Sequence, residues 1–576
     1  MDQNMTNGTA DFPPLPGEVV QAWIAAGANY GIMQNDPMAY SIRSRVEPAA
    51  GERPGLPGFS FRKWRLRNGI TLKLLESLPI PPTPFGLSIS SHHGCPAEMG
   101  KLKSLARFRD TLIELELWGD SRVTKELPEL QSLHKLRSLG LCSMELWGHT
   151  VVPYLQNLPE LESLRVDEMQ FTIDEARILS QLSQLKQLSL AVYKHATPEA
   201  LDCLASLSHL ESISLFLNKP IPELSECLSR LKSLRHFELN NSQLPDGVFR
   251  SLGKLPHLEE LKLINANLMD EDLQDLCQSP SVANLNISGT AVTDDGLALL
   301  TNLPSLKSLD VSRTKAGVHA LSAISTLTDL EELNLAETST SNDELGCIGK
   351  LGKLRSLILC ATTVGDSGLP HLANLTQLEY LNLGGTKVTD DGLPQLLPLT
   401  SLRKLDLRQT KVTDNGLIRL QGLPALEEID LDVRVMTDSG LQNYLAVVRK
   451  PRKLSLQNTA VTDAGLLYLS DCPDLEILNL ATTKVSQLPK FSQLTNVTYL
   501  NLCHTCLSLE GFEQLALMHN LLALDLSNLQ VKHPLDSLLK LKSLTSLGTL
   551  QIYSWSLQPD EIDELRQALP NCKIQS

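Results

Sequence analysis

Residues 378–417 of this 576-residue chain write one unit almost twice: LEYLNLGGTKVTDDGLPQLLPLTSLRKLDLRQTKVTDNGL. The unit reads L-x-x-L-x-L-x-x-T-x-V-T-D-x-G-L. Its L-x-L closes at Leu383 and again at Leu407, a step of 24 residues. A unit this small cannot bury its own apolar face. Repetition at such a period therefore demands a stack in which each copy covers the next.

The letters dictate the local course of the chain. In L-x-L, alternate side chains point to opposite faces, so Leu381 and Leu383 go inward and Asn382 outward. Copies of that short strand would stack into a parallel sheet. Thr386 stands three residues past the last strand leucine, where the chain must turn. A column of such hydroxyls can satisfy backbone groups of the turn. Val388 points back into the core. Thr389 is a good helix N-cap, and Asp390 and Asp391 suit the positive end of a helix dipole. Leu393, Leu396 and Leu397 have helical spacing. The unit reads as strand, turn, short helix and return.

This pattern resembles the leucine-rich repeat family, with Thr where the family usually has Asn. The V-T-D-x-G-L segment resembles the variety of long bacterial leucine-rich repeat proteins, related in pattern to ribonuclease inhibitor. The resemblance implies an α/β leucine-rich repeat solenoid: a right-handed horseshoe with a concave parallel β-sheet and short helices on the convex side.

The last strand residue recurs from Ile89 through Leu117, Leu141 and onward to Leu526 and Ile552, giving 20 units. Steps after Leu117 are 24 or 25 residues up to Leu480, and the step from Leu480 to Leu502 is 22. From Ile287 onward the turn column is nearly all Thr: 290, 314, 338, 362, 386, 410, 459, 483 and 505. Earlier units carry Asp120, Met144, Met169, Tyr193, Asn218, Ser242 and Ala266 there. Arg434 interrupts the column, and the basic RKPRK at 449–453 follows.

Around the array, residues 1–16 read as a disordered tail. Residues 17–84 read as an N-terminal cap that covers the first core edge. It has a helix over Val19–Gly27 and a hairpin over Phe59–Leu75, turned at Asn68-Gly69. The array itself spans 85–555. Residues 556–576 read as a C-terminal cap, an amphipathic helix and a short strand.

Composition narrows the function. A net charge of −15 argues against nucleic acid, whose binding needs a basic surface, and against anionic membranes. No run of about 18 apolar residues is present, and the N-terminus has no basic-then-apolar leader. Eleven scattered cysteines form no disulfide framework and suit reduced thiols in a cytoplasmic protein.

Candidate chemistry dissolves into the repeat. In Cys503-His504-Thr505-Cys506 the repeat accounts for three of the four positions, and no second ligand pair accompanies it. His92, His93 and Cys95 lack a further metal ligand. Gly346–Lys353 misses the phosphate-loop spacing. The recurrent Asp294, Asp390, Asp414, Asp438 and Asp463 come from one repeat slot, so they read as structural. No catalytic residue, cofactor site or metal site is expected.

What remains is the outward strand row. It carries Glu116, Asn286, Asp310, Asn334, Asn382, Asp406, Asp430, Asn479, Asn501 and Asp525, flanked by Trp118, Phe216, Tyr380, Arg408, Glu428, Asp432, Tyr499 and Tyr553. A polar, acidic face with scattered aromatics and Arg has the make-up of a protein-binding surface. Solvation of an unused face would give the same Asn and Asp. The expected function is a non-enzymatic scaffold that binds a protein partner, a basic one, on the concave face. The expected residues are Tyr380, Lys404, Asp406, Arg408, Glu428, Asp430, Asp432 and Tyr499. Two alternatives stand beside it. LPGEVVQAW faintly resembles the helical adaptor box of ubiquitin-ligase substrate receptors, and an enzyme could hold its site on the same face.

Overall fold

The computed structural model describes residues 15–25, 28–33, 56–61, 72–90, 102–118, 121–142, 154–170, 173–194, 198–217, 219–431, 436–448, 451–488, 496–529, 531 and 533–575. They fall in two compact units, Met1–Ala291 and Val292–Ser576.

The first unit opens with a helix at Gly17–Ala25, close to the expected 19–27. Strands β1 (Asn29–Met33) and β2 (Leu56–Phe61) pair antiparallel, Tyr30 opposite Phe59. The hairpin expected over Phe59–Leu75 does not form as read. Residues 62–71, with Asn68-Gly69, lie outside the described residues, and Leu72–Ser77 is a helix. Leu75 and Leu78 are both buried; spacing by three suits a helix better than a strand. From β2 the sheet runs parallel through β3 (Phe85–Ser90), β4 (Leu112–Trp118), β5 (Ser138–Cys142), β6 (Ser163–Gln170), β7 (Gln187–Lys194), β8 (Ser212–Leu217), β9 (His236–Asn240), β10 (Glu260–Ile264) and β11 (Asn284–Asn286). An aromatic cluster closes its leading end. Trp23 stacks on Phe59 at 4.3 Å and meets Phe85 and Phe108 edgewise or tilted at 5.8 and 5.7 Å. Its indole N–H donates to Pro79 O at 2.9 Å.

In the second unit every strand has three residues. One parallel set is β12 (Ser308–Asp310), β13 (Glu332–Asn334), β14 (Ser356–Ile358), β15 (Tyr380–Asn382), β16 (Lys404–Asp406) and β17 (Glu428–Asp430). A separate sheet holds β18 (Lys453–Ser455), β19 (Ile477–Asn479), β20 (Tyr499–Asn501), β21 (Ala523–Asp525), β22 (Thr549–Gln551) and β23 (Lys573–Gln575). The inward residues are the expected ones: Leu381, Leu383, Val388, Leu393 and Leu396 are fully buried.

Three devices recur in the turns here. The strand-end Asn or Asp accepts the backbone N–H two residues on: Asp310 from Ser312, Asn334 from Ala336, Asn382 from Gly384, Asp406 from Arg408, Asn479 from Ala481, Asn501 from Cys503 and Asp525 from Ser527, all at 2.9–3.0 Å. Such a bond bends the chain out of the strand. Next comes a left-handed residue, seldom glycine: Arg313, Glu337, Ala361, Gly385, Gln409, Asn458, Thr482, His504, Asn528 and Ser554. That conformation costs on the order of 1–2 kcal/mol for a side chain with Cβ. It aims the residue's N–H at the next repeat, as in Glu337 to Cys360 O at 2.9 Å and Ala361 to Gly384 O at 2.8 Å. Then the Thr hydroxyl donates to the carbonyl three residues back, as expected of the column. Thr314, Thr338, Thr362, Thr386, Thr410, Thr459, Thr483 and Thr505 all do so at 2.6–2.7 Å.

The helix-entry Asp, in V-T-D or in its variants V-G-D and M-T-D, does more than start a helix. Asp366 accepts from the Thr389 N–H at 2.8 Å and its hydroxyl at 2.6 Å, in the following repeat. Asp390 holds Thr413 likewise at 2.7 and 2.6 Å, Asp438 holds Thr462 at 2.8 and 2.6 Å, and Asp463 holds Ser486 at 2.7 Å twice. The glycine of T-D-x-G follows from this. A Cβ on Gly392, Gly416, Gly440 or Gly465 would lie 2.1–2.4 Å from the preceding repeat's Asp366, Asp390, Asp414 or Asp438. The helical segments that follow are short, and Leu393–Leu396 and Leu417–Leu420 are single 3₁₀ turns.

Candidate strand-face site

Register brings most of the expected residues together. Tyr380 pairs Lys404, which pairs Glu428; beside them Asn382 pairs Asp406, which pairs Asp430. These side chains stand on the outward face of β15–β17. Arg408 follows β16 on the same side. Tyr499 lies on β20 in the other sheet of this unit, so it does not join the group. Asp432 lies outside the described residues.

The group is ordered by its own charges. Arg408 Nε donates to both oxygens of Asp406 at 3.0 and 3.1 Å, and Nη2 donates to Oδ2. Asp406 is only 1% exposed, so its carboxylate serves to position Arg408. The Arg408 side chain stays 60% exposed. Its hydrogen bond to Asp406 raises the guanidinium pKa, so the charge is permanent. Lys404 Nζ reaches Glu428 at 3.0 Å and Asp430 at 3.2 Å. Burial works to lower the Lys404 pKa, but the bond to Glu428 and the Asp430 charge raise it overall. The Asn382 amide donates to Tyr380 Oη at 3.2 Å, and burial raises the Tyr380 phenol.

The first unit carries its own outward charges, differently arranged. Arg165 on β6 bonds Asp167 at 3.3 Å and lies over the Trp118 ring at 5.9 Å, with only 14% of its side chain exposed. Ser88 donates to Glu116 at 2.9 Å. Glu114, also on β4, is pushed up to about 8 by burial and then by the neighbouring Glu116 charge.

Sequence reasoning missed two features here. The outward Asn and Asp row was read as surface, yet its members close turns. Their spacing of two before the turn N–H could have shown it. The second is a charge column just before the strands. In the second unit it runs Lys307, Glu331, Arg355, Glu379, Arg403, Glu427, Arg452, Glu476, alternating in sign at every repeat. Pairs form along it: Lys307–Glu331 at 3.5 Å, Arg403–Glu427 at 2.8 Å, Arg452–Glu476 at 2.9 Å, and Arg355–Glu379.

The remaining motifs are absorbed by the repeat. Thr505 of the C-x-x-C makes the turn bond, and His504 is the left-handed residue. In GCIGKLGK, a Cβ on Gly349 would lie 2.2 Å from the His371 carbonyl, so that glycine admits a neighbouring repeat. His92, His93 and Cys95 lie outside the described residues. Among the described residues no group of three or more His, Cys, Asp or Glu could hold a metal ion, and no helix is long and apolar enough to cross a membrane.

Strand, captured turn, short helix and return, repeated on a leucine core, is the leucine-rich repeat fold. Solved structures with that fold are similar. TLR13 in complex with ssRNA13 shares 17% identity and a TM-score of 0.51, over 90% of this chain and 76% of that one. A leucine-rich repeat protein of Leptospira interrogans shares 21% identity and a TM-score of 0.41, over 74% and 98%. An internalin of Listeria monocytogenes shares 21% and 0.35, over 67% and 90%. No family model and no curated protein matches the sequence.

Proposed function

We propose that the protein is a non-enzymatic, cytoplasmic scaffold that binds a protein partner on the strand face of its second unit. The site is centred on Arg408, with Tyr380, Lys404, Glu428 and Asp430 around it. The observation that carries this reading is Arg408 itself: a guanidinium that is mostly exposed, yet fixed by a buried carboxylate. An arginine already ordered loses little freedom when it docks, and Arg and Tyr are common anchors of protein interfaces. With the buried Asp406 counted, three carboxylates stand against Lys404 and Arg408, and this net negative charge favours a basic partner surface and salt-sensitive association. We read these repeats as the Thr-type variety, similar in pattern to ribonuclease inhibitor, on the strength of the hydroxyl column.

The test is photo-crosslinking of the full chain in lysate, with the photoreactive residue placed at Ser356 on the strand face or at Gln395 on the helix side. A protein captured from position 356 and lost on Arg408→Ala supports the reading. Capture from position 395 alone, indifferent to Arg408→Ala, contradicts it.

A further inference from the structure

The strand ladder of the second unit breaks between β17 and β18, which lie in separate sheets. Elsewhere the rungs are regular. Glu427 and Glu428 N–H donate to Arg403 O at 2.8 and 3.0 Å, and Leu407 N–H donates to Asp430 O at 2.8 Å. At the break, among the described residues, Lys453 N–H does not reach Glu427 O, and Leu431 N–H reaches no carbonyl of β18.

The helix side shows no such break. Asp414 accepts from the Thr437 hydroxyl at 2.5 Å, and Asp438 holds Thr462 at 2.8 and 2.6 Å. Ala460 N–H donates to Met436 O at 3.0 Å. The Asp438–Val447 helix packs against the helical segments before and after it. With ten residues it is longer than the other helical segments of the array in this unit.

The residue at the open edge is Tyr444. It occupies the slot that Leu396 and Leu420 fill in the two preceding repeats, where both are fully buried. A phenol is longer than a leucine and brings a hydroxyl that must be satisfied in the core. Tyr444 is 6% exposed, and its hydroxyl hydrogen-bonds the Ile429 backbone on β17. Residues in that strand position turn their backbone toward the next repeat, so the phenol stands where a neighbouring strand would pair. A second leucine slot of this repeat, matching Leu402 and Leu475, holds Pro451. Leu402 and Leu475 each donate an N–H to the turn before the strand, at 3.0 and 3.2 Å; proline has none to give.

We propose that the β17–β18 junction is a built-in flexing point of the second unit. The Asp–Thr bonds hold it on the helix side, and the Tyr444 phenol keeps it open on the strand side. The strands on either side can then tilt about the helix-side bonds without breaking the leucine core. This inference does not depend on the proposed protein partner.

Amide hydrogen exchange read at single residues on the full chain tests it. The Leu431 amide should exchange at least about tenfold faster than those of Leu383 and Leu407, whose rungs are closed. Tyr444→Phe should speed exchange at Ile429 and leave Leu431 unchanged. The double variant Tyr444→Leu/Pro451→Leu, which restores both leucine slots, should slow Leu431 toward the rate of Leu407. Equal protection of Leu431 and Leu407 in the wild-type chain would overturn the proposal. An Ile429 amide indifferent to Tyr444→Phe would overturn the role of the phenol, even if the double variant does not fold.

Discussion

Strands β4 to β10 of the first unit have five to eight residues, whereas every strand of the second has three. Both parts share the same inward leucines, so core packing does not set the difference. The turn does. At the residue where the second unit mostly has Asn or Asp, the first has Glu116, Gly140, Arg165, Ser189, Ser214, Glu238 and Lys262. None of these is the short Asn or Asp that most readily captures the N–H two residues on, and the strand continues. Register follows suit. β3–β4 and β6–β7 show shifts, while β12 to β17 hold one register throughout the pairings described. Ile358 shows that the captures are redundant. It lacks the Asn or Asp, yet β14 still ends after three residues, with Ala361 left-handed and Thr362 bonding Leu359 O at 2.6 Å. A strand end fixed by several bonds gives the outward side chains fixed places, and Arg408 stands in such a repeat.

The largest effect should come from what the two parts share. Leu405→Ala in the fully buried core should cost about 2–5 kcal/mol, by denaturant unfolding, through the cavity it leaves. If the array is nearest-neighbour coupled, exchange should rise in β15–β17 more than in β20–β22. A uniform rise over the second unit would mean longer-range coupling. Next comes the helix-entry Asp bond between repeats of the second unit. Asp366→Ala removes both acceptors of Thr389 and should cost about 1–3 kcal/mol. A near-neutral result would make the column decorative.

The pH response should separate the two parts. Glu114 has a folded pKa near 8, raised above its ordinary value of 4.5. The folded form therefore holds a proton that the unfolded chain has lost between those values. The first unit should lose stability as pH rises from about 4.5 to about 8. Asp294, in the second unit, goes the other way. Burial works against its charge, but backbone N–H groups of Ala320, Gly317 and His319 hold it below the usual range. Its contribution is present above the ordinary carboxylate pKa and fades as pH falls through the depressed value. Melting of Glu114→Gln at pH 5 and pH 8 should show a higher midpoint at pH 8 than wild type and a flatter pH profile. The smallest effect should be Asn382→Ala, about 0.5–1.5 kcal/mol, because Gly385 and Thr386 still turn the chain.

The period, the inward leucines and the Thr column were legible because each lies inside one unit. What escaped was bonding between adjacent repeats. The Asp366–Thr389 contact spans 23 residues, and from within one unit Asp looks like a helix starter. The left-handed column was invisible because Arg313 and Glu337 carry no glycine signal. At the N-terminus, Asn68-Gly69 suggested a hairpin, but β2 pairs with β1, upstream of it, and Leu72–Ser77 forms a helix that buries Leu75. For the strand face, the repeat alignment already put Tyr380, Lys404 and Glu428 at matching positions, and they pair in register. The burial of Asp406 was not foreseeable from an outward strand position.

Partner affinity for two outward arginines gives the most direct check, one from each part. Calorimetry with the crosslinked partner, once purified, should show Arg408→Ala losing roughly 1–3 kcal/mol. Arg165→Ala, in a folded variant, and Gln395→Ala should leave the affinity within experimental error. If Arg165→Ala abolishes binding while Arg408→Ala leaves it unchanged, the regular strand face of the second unit is not the docking surface.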